Sequence, residues 1–439
     1  MKKFAIVFWI ILLLWLHAGA SGQIKELRGV WLTKTASTIF NSKASVAAAI
    51  DSLKKTGLNA VFPGIFENGF TLYPSEVMEV YTGNRVDYAY AERDLLAEII
   101  AEAHRVGMEV HPWFEFGFAA CYGSRGPILD HYPQWGGRRL STGDALDDNS
   151  FYWLSQAHPE VQEFLISLAI EVVENYDVDG IMFDRIRYGL TKNSATGELI
   201  VSDFGYDDAH VERYRAENNG QDPPASPRDS NWMKWRSKIL DEFVALLYDS
   251  VKAHNSNIMV TNTPVVYPYG YNLFLQNWPQ WVRDNSIDFI SPQVYRFNVN
   301  DYRRDLGTIV NQQVPAGYKR CYPGMLIREG SYNATPELAV NFIKENRNLG
   351  VEGGIFFFYE GLPSVAAALR QQVFQEPALQ PFRPDDWRPE GIIIQEDSAL
   401  VQRTGNWSRV IGTGASGYFS FDGQCLTAVG SSGAKIRYQ

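Results

Sequence analysis

The sequence predicts an α/β chain: a (β/α)8 barrel of the TIM type, followed by a short, incomplete all-β module resembling part of a sandwich. Three observations predict it. Short apolar runs rich in Val, Ile, Phe and Trp alternate with longer runs of helical apolar spacing, eight times between residues 25 and 375. Many of the short runs end in charged or amide residues, as parallel strands do when their C-terminal ends open on a site. No Gly-rich phosphate loop follows the first strand, which counts against the structural rival, a doubly wound open sheet.

Residues 1–22 read as a secretory signal. Lys2-Lys3 form its positive end, 4–16 its apolar stretch, and Ala18-Gly19-Ala20 a small-residue cleavage site. The stretch is short for a bilayer span, and an uncleaved anchor is the alternative. No Cys follows the cleavage site and no later run is long and apolar enough to span. The expected location is secreted or periplasmic, with no membrane span after signal cleavage.

The barrel is expected over 25–375. Strand one is Leu27-Arg28-Gly29-Val30-Trp31-Leu32, and a helix over 45–56 ends at Gly57. Strand two covers 59–66. The helix over 93–106 carries Leu95, Leu96, Ile99, Ile100 and Ala103 at helical spacing and stops at Gly107. Strand three covers 108–115, and Pro159 opens a helix over 160–176. Strand four begins at the turn signal Asp179-Gly180, continues through Ile181-Met182-Phe183 and ends in the charged cluster Asp184-Arg185-Ile186-Arg187-Tyr188. A long helix over 232–253 precedes strand five at 258–262. Strand six covers 288–295, then come a helical region at 299–312, strand seven at 321–327, a helix over 335–348 starting Thr-Pro-Glu, strand eight at 353–360 and a last helix over 364–373. The Pro-rich stretch 376–391 reads as a linker. Short β-like runs fill 392–439, too few residues for a complete sandwich of about 100 residues. The module is read as cut short or degenerate, or as a small accessory β-lobe.

Composition narrows the function classes. Aromatics make up 14% of the 439 residues, with 12 Trp and 23 Tyr, which suits sugar faces stacking on rings and also suits a large core. The net charge is −10, and no basic run occurs, which argues against nucleic acid or an anionic membrane as partner. The three cysteines, Cys121, Cys321 and Cys425, are odd in number and widely spaced, so neither a disulfide framework nor a metal site is expected. No cofactor is expected.

Strand tips in such a barrel share one mouth. The tips offer Glu67 (strand two), His111, Trp113 and Glu115 (strand three), Asp184, Arg187 and Tyr188 (strand four), Asn262 (strand five), Gln293 and Tyr295 (strand six), and Tyr359 and Glu360 (strand eight). Paired carboxylates with amide, phenol and indole neighbours are what glycosidic hydrolysis needs: one acid protonates the leaving oxygen, and a second carboxylate attacks carbon or activates water. Asp184, flanked by arginines, is expected to ionise easily and suits nucleophile or base. Glu115 follows Trp113-Phe114, an aromatic setting that raises a carboxyl pKa, and suits the acid; Glu360 is the rival and Glu67 a third choice. If strand four continued, Arg185 would point to the face opposite Asp184 and Ile186, so it is read as a structural ion-pair residue in preference to Arg187. His111 and Trp113 have a core reading as well.

Five stretches in this order carry a resemblance: Arg28-Gly29-Val30-Trp31; Leu72-Tyr73-Pro74-Ser75; Glu102-Ala103-His104-Arg105-Val106-Gly107-Met108-Glu109-Val110-His111-Pro112-Trp113; Tyr176-Asp177-Val178-Asp179-Gly180-Ile181 with Phe183-Asp184; and Ile287-Asp288-Phe289-Ile290-Ser291-Pro292-Gln293-Val294-Tyr295. Together they resemble the glycosyl hydrolase-like 10 family of bacterial TIM-barrel proteins. The resemblance implies a glycosidase barrel acting on a polysaccharide, cell-wall glycan among them, and supports Asp184 as catalytic. The chain departs from the family pattern in two places. Phe114-Glu115-Phe116 stands where Asn-Pro is usual after strand three, and Arg185 stands where a second acid is common after Asp184. The expected activity is an exported glycoside hydrolase with a polysaccharide or oligosaccharide partner. A catalytically silent glycan-binding protein is the rival, and an esterase is disfavoured because no G-x-S-x-G elbow occurs.

Overall fold

The computed structural model describes residues 24–384 and 387–388 together with four strands beyond them, Val401–Thr404, Trp407–Ile411, Gln424–Ala428 and Lys435–Tyr438. The expected signal, 1–22, and the Cys425 side chain lie outside the described residues. The chain divides into two compact units between Pro389 and Glu390.

In the first unit strands and helices alternate. They are β1 (Leu27–Leu32), α1 (Lys43–Thr56), β2 (Ala60–Pro63), α2 (Leu95–Arg105), β3 (two pieces, Glu109–Val110 and Trp113–Phe114), α3 (Pro159–Asn175), β4 (Gly180–Phe183), α4 (Ser230–His254), β5 (Met259–Asn262), α5 (Trp278–Arg283), β6 (Phe289–Ile290), α6 (Val299–Thr308), β7 (Gly324–Leu326), α7 (Pro336–Asn348), β8 (Gly353–Phe357) and α8 (Leu362–Gln372). Helix starts follow ordinary capping: Ser42 and Ser45 form a reciprocal box before α1, and Asp94 and Thr335 cap α2 and α7. The expected strands six and seven shorten to two and three residues.

All pairings among these eight strands are parallel. One sheet runs β7-β8-β1-β2-β3 through the first piece of β3, and the other runs β6-β5-β4-β3 through its second piece. The break between the pieces falls at His111-Pro112, where proline lacks an N–H to donate. At the far edges, Ile290 bridges Cys321 and Gln293 bridges Gly324, again in parallel. This α/β order fits a TIM-like domain.

Side chains alternate across the strands. Trp31, Phe62, Trp113, Met182, Met259, Phe289, Tyr322 and Ile355 form one buried cluster, while Val30, Val61, Phe114, Ile181, Phe183 and Val260 belong to the larger cluster shared with the helices. The smaller cluster is the inner filling. Burying each of its larger side chains contributes on the order of 1.5–3 kcal/mol.

In the stretch 376–391, expected as a linker, the described residues 376–384 and 387–388 instead pack against the rest of the first unit. Ala378–Leu379 pairs in parallel with Ile24–Lys25, and Phe382 stacks on Phe289 in the inner cluster. Arg383 bonds Glu109, and Trp387 and Arg388 bond Asp179. These partners lie at the N-terminal ends of β3 and β4, opposite the strand tips. Prolines here set the path of a docked strap, so proline content alone misreads it. In the second unit, 401–404 pairs antiparallel with 435–438 and 407–411 with 424–428. Among the described residues, no helix is long and apolar enough to cross a membrane, and no group of three or more His, Cys, Asp or Glu is placed to hold a metal ion.

Candidate active site

The inner face of β3 climbs in steps of two: Glu109, His111, Trp113, Glu115. The first three are sealed. Glu109 and His111 are fully buried and 2.8 Å apart, with the His111 ring stacked on Phe62. Trp113 is 3% exposed and packs on Trp31. Only Glu115, with 18% of its side chain exposed, reaches the open end. On β4 the same parity carries Met182 inward and places Asp184 just past the strand end. A side chain added at Gly64 would lie 3.4 Å from the Trp113 ring and 3.8 Å from Glu115 Oε2, so ring and carboxylate flank one piece of backbone.

Arg185 joins the two acids. The strand stops at Phe183, and Arg185 takes a left-handed conformation, φ +47°. Its backbone N–H donates to Asp184 Oδ1 at 2.6 Å, and its Nη1 donates to the Glu115 carbonyl at 2.6 Å and to Glu115 Oε1 at 3.3 Å. The guanidinium lies over the Phe116 and Phe151 rings. Arg185 is therefore turned toward the mouth, not away from it as a continued strand would require. Asp184 Oδ2 accepts a hydrogen bond from Gln293 Nε2 at 3.1 Å, and Gln293 is itself anchored on the Thr263 carbonyl. Arg187 sits over Phe274 and Trp153 rings, and its Nε has no protein partner.

Burial dominates the electrostatics. It pushes Glu115 up to about 7; the Arg185 charge opposes it, and the charges of Glu67 and Asp184 add to it. Burial also raises Asp184, against the charges of Arg185 and Arg187 and the hydrogen bonds from Arg185 and Gln293. The expectation that Asp184 ionises easily is corrected in this sense: its 7% exposure outweighs the two arginines. Glu67, 2% exposed, is raised by burial against Lys34 and a 3.3 Å hydrogen bond from Thr35. Arg187 is pushed down to about 10, by burial first and then by the like charge of Arg185.

The structure thus gathers Asp184, Glu115, Glu67, Gln293 and Arg187. Tyr295 joins them: it stacks on Phe357, and burial, then the charges of Asp184, Glu329 and Glu115, raise its phenol well above the ordinary range. Asn262 pairs in register with Phe183, beside Asp184, and its buried Oδ1 has no protein partner.

Five expected site residues are held by partners outside this group. His111 is inner filling, held by Glu109 and Phe62. Trp113 is the ring layer beneath Glu115. Tyr188 is fully buried and bonds His210 and the Arg236 carbonyl. Glu360 is tied to the loop after β1, accepting from Ser37 Oγ at 2.7 Å and the Thr38 N–H at 3.1 Å, and Tyr359 packs beside it against the outer core. Arg185 is the residue sequence reasoning undervalued; no sequence signal marks a left-handed residue after a strand.

The glycosyl hydrolase-like 10 family model matches residues 26–316, a span that includes Glu67, Glu115, Asp184 and Gln293. The chain belongs to the glycosyl hydrolase-like 10 family. The chain is 24% identical over 403 residues to glycosyl hydrolase YngK of Bacillus subtilis (strain 168), covering 82% of this chain and 74% of that one. It is 23% identical over 319 residues to glycosyl hydrolase DigH of Escherichia coli (strain K12), covering 62% and 66%. Among solved structures, the glycoside hydrolase domain of PgaB (BpsB) from Bordetella bronchiseptica superposes with a TM-score of 0.56 at 16% identity, over 79% of this chain and 98% of that one. The catalytic domain of β-amylase from Paenibacillus polymyxa gives a TM-score of 0.56 at 11% identity, over 80% and 99%. At these identities the two structures share the fold. Family membership supports a glycosidase-type function on a carbohydrate for this glycosyl hydrolase-like 10 chain.

Proposed function

We propose that this chain is an exported glycoside hydrolase that cleaves O-glycosidic bonds of a polysaccharide, with Glu115 as general acid and Asp184 as the carboxylate that attacks carbon or activates water. The observation that carries the reading is the Arg185 bridge, which holds two acids from neighbouring strands to one residue. Their surroundings divide the roles. Asp184 accepts two hydrogen bonds and faces two arginines, all favouring its charged form. Glu115 makes one long contact to Arg185 and faces Glu67 and Asp184, which favour its proton. Gln293, Tyr295 and Asn262 offer donors and acceptors for sugar hydroxyls.

The reading includes a ring of eight strands closed through β3 on one side and the Ile290–Cys321 and Gln293–Gly324 bridges on the other. It also takes 1–22 as the export signal and the second unit's antiparallel pairs as part of a sandwich-like module. Bacterial cell-wall glycan is the first substrate to try, by the family resemblance.

The test is a screen of purified protein against peptidoglycan and a panel of polysaccharides, with mass analysis of products, beside Asp184→Asn. Turnover should fall by about 10³-fold or more in the variant while glycan binding persists. Equal activity in the variant removes Asp184 from the mechanism, and the absence of any product from the parent points to a glycan-binding protein. The anomeric form of the product reports which role Asp184 takes.

A further inference from the structure

Two grooves flank the mouth, and the three most exposed aromatic side chains among the described residues stand at them. Tyr88 is 76% exposed, Phe297 61% and Tyr122 57%. Exposed rings lose the burial that normally justifies them, and rings gathered along concave surface mark a binding site. The first groove, about 540 Å³, lies in the loops after β2 and β3. Phe70, Tyr88 and Tyr122 supply its rings and Asn68 and Asn84 its amides. The second, about 300 Å³, lies in the loops after β6 and β7, with Phe297 and Tyr332 as rings and Asn298, Asn333 and Asn341 as amides. The first volume lies inside the range of about 300–1,000 Å³ typical of small-molecule sites, and the second at its lower edge.

Chain connections and ring contacts tie both grooves to residues of the mouth. Asn68 follows Glu67 and accepts a hydrogen bond from the Tyr122 N–H at 3.0 Å, so the two loops form one wall. The Tyr122 ring meets Phe151 at 5.1 Å, and Phe151 in turn carries the Arg185 guanidinium. On the other side, Phe297 lies two residues beyond Tyr295 and packs edge-on against Tyr332 at 4.8 Å. The Tyr332 hydroxyl has no protein partner.

We propose that these grooves are sugar-binding subsites on opposite sides of the catalytic centre, and that the substrate is a linear glycan lying across the mouth and cut within its length. The proposal rests on the hydrolase reading and the closed ring above, in which β2–β3 and β6–β7 stand opposite each other. The chemistry fits a glycan better than a peptide or a charged polymer. Rings take the apolar C–H faces of sugars, amides exchange hydrogen bonds with hydroxyls, and neither groove carries a cluster of one charge sign. A chain bridging both grooves places an internal linkage over Asp184 and Glu115.

The test uses the full-length Asp184→Asn protein, titrated calorimetrically with cello-, xylo- and chito-oligosaccharides graded from disaccharide to octasaccharide. In at least one series, affinity keeps rising beyond the trisaccharide. Adding Tyr88→Ala or Phe297→Ala lowers octasaccharide affinity about tenfold, with a smaller loss for the trisaccharide. Absence of binding in every series, affinity that levels off at the trisaccharide, or ring variants that bind the octasaccharide like their parent each overturn the proposal. Levelling off at short length leaves the hydrolase reading intact. Length-dependent binding by a parent chain that hydrolyses nothing removes the hydrolase reading and keeps the subsites.

Discussion

Glu115 and Asp184 share Arg185, so the protonation of one acid depends on the side chain that holds the other. With Glu115 pushed up to about 7, the acid form required for leaving-group protonation persists below that pH and is lost above it. The alkaline limb of the kcat/KM profile should therefore fall near pH 7. Arg185→Met removes the positive charge that opposes the shift and should move this limb upward by about one pH unit, while the backbone N–H to Asp184 remains. A limb that stays put in this variant means another group is the acid. Residue identities made Asp184 and Glu115 legible before the fold was known: each is an acid at the end of an apolar run. They did not separate a mouth residue from filling two steps below it. His111, Trp113 and Glu115 share one parity, and only depth along β3 distinguishes them. Glu360 looked equal to Glu115 in its aromatic setting, but its partners, Ser37 and Thr38, come from a loop 323 and 322 residues earlier in the sequence.

At the scale of elements, the site depends on where β4 stops. Beyond Phe183 the chain leaves the strand, and the Asp184 carbonyl passes over Gly117, a residue at φ +50° in the loop after β3. A Cβ at that position would overlap the Asp184 carbonyl oxygen and would strain an already left-handed residue. Gly117→Ala should cost about 1–3 kcal/mol in denaturant unfolding and should reduce kcat more than it raises KM, because it displaces the backbone that carries Asp184. A folded variant with unchanged kcat would separate this loop from the positioning of Asp184. Elements with strong periodicity were readable to within a few residues: the helix expected at 93–106 is Leu95–Arg105, and that at 335–348 is Pro336–Asn348. The strands were expected longer than they are, since β6 keeps ladder pairing only at Phe289–Ile290 before Pro292 interrupts the donors. A period-two extrapolation past such an end is what misdirected Arg185.

At the scale of the molecule, the end opposite the mouth is sealed by the strap, and that seal is charged. Asp179, fully buried, accepts four hydrogen bonds: from the Val110 N–H, His104, Trp387 and Arg388. Burial pushes its pKa up, but the hydrogen bond and charge of His104, with the charges of Arg388 and His111, outweigh that and hold it below the usual carboxylate range. A carboxylate depressed in the folded state adds stability that is complete above the unfolded value of about 3.9 and drains as pH falls below it. Arg388→Ala should flatten the loss of stability below about pH 4, followed down to about pH 2, relative to the parent, measured by urea unfolding. Arg383 plays a different part. It bonds Glu109, which is fully buried, and the carbonyls of Asp179 and Asn257. Arg383→Ala leaves that carboxylate with His111 as its remaining side-chain partner among the described residues and should cost about 3–5 kcal/mol at neutral pH. The two substitutions separate a titrating contribution from one that is constant near neutrality. If instead both variants unfold like the parent at every pH, the strap is a passive cover and the floor of the fold is held by its apolar contacts, Phe382 on Phe289 and Tyr322, alone.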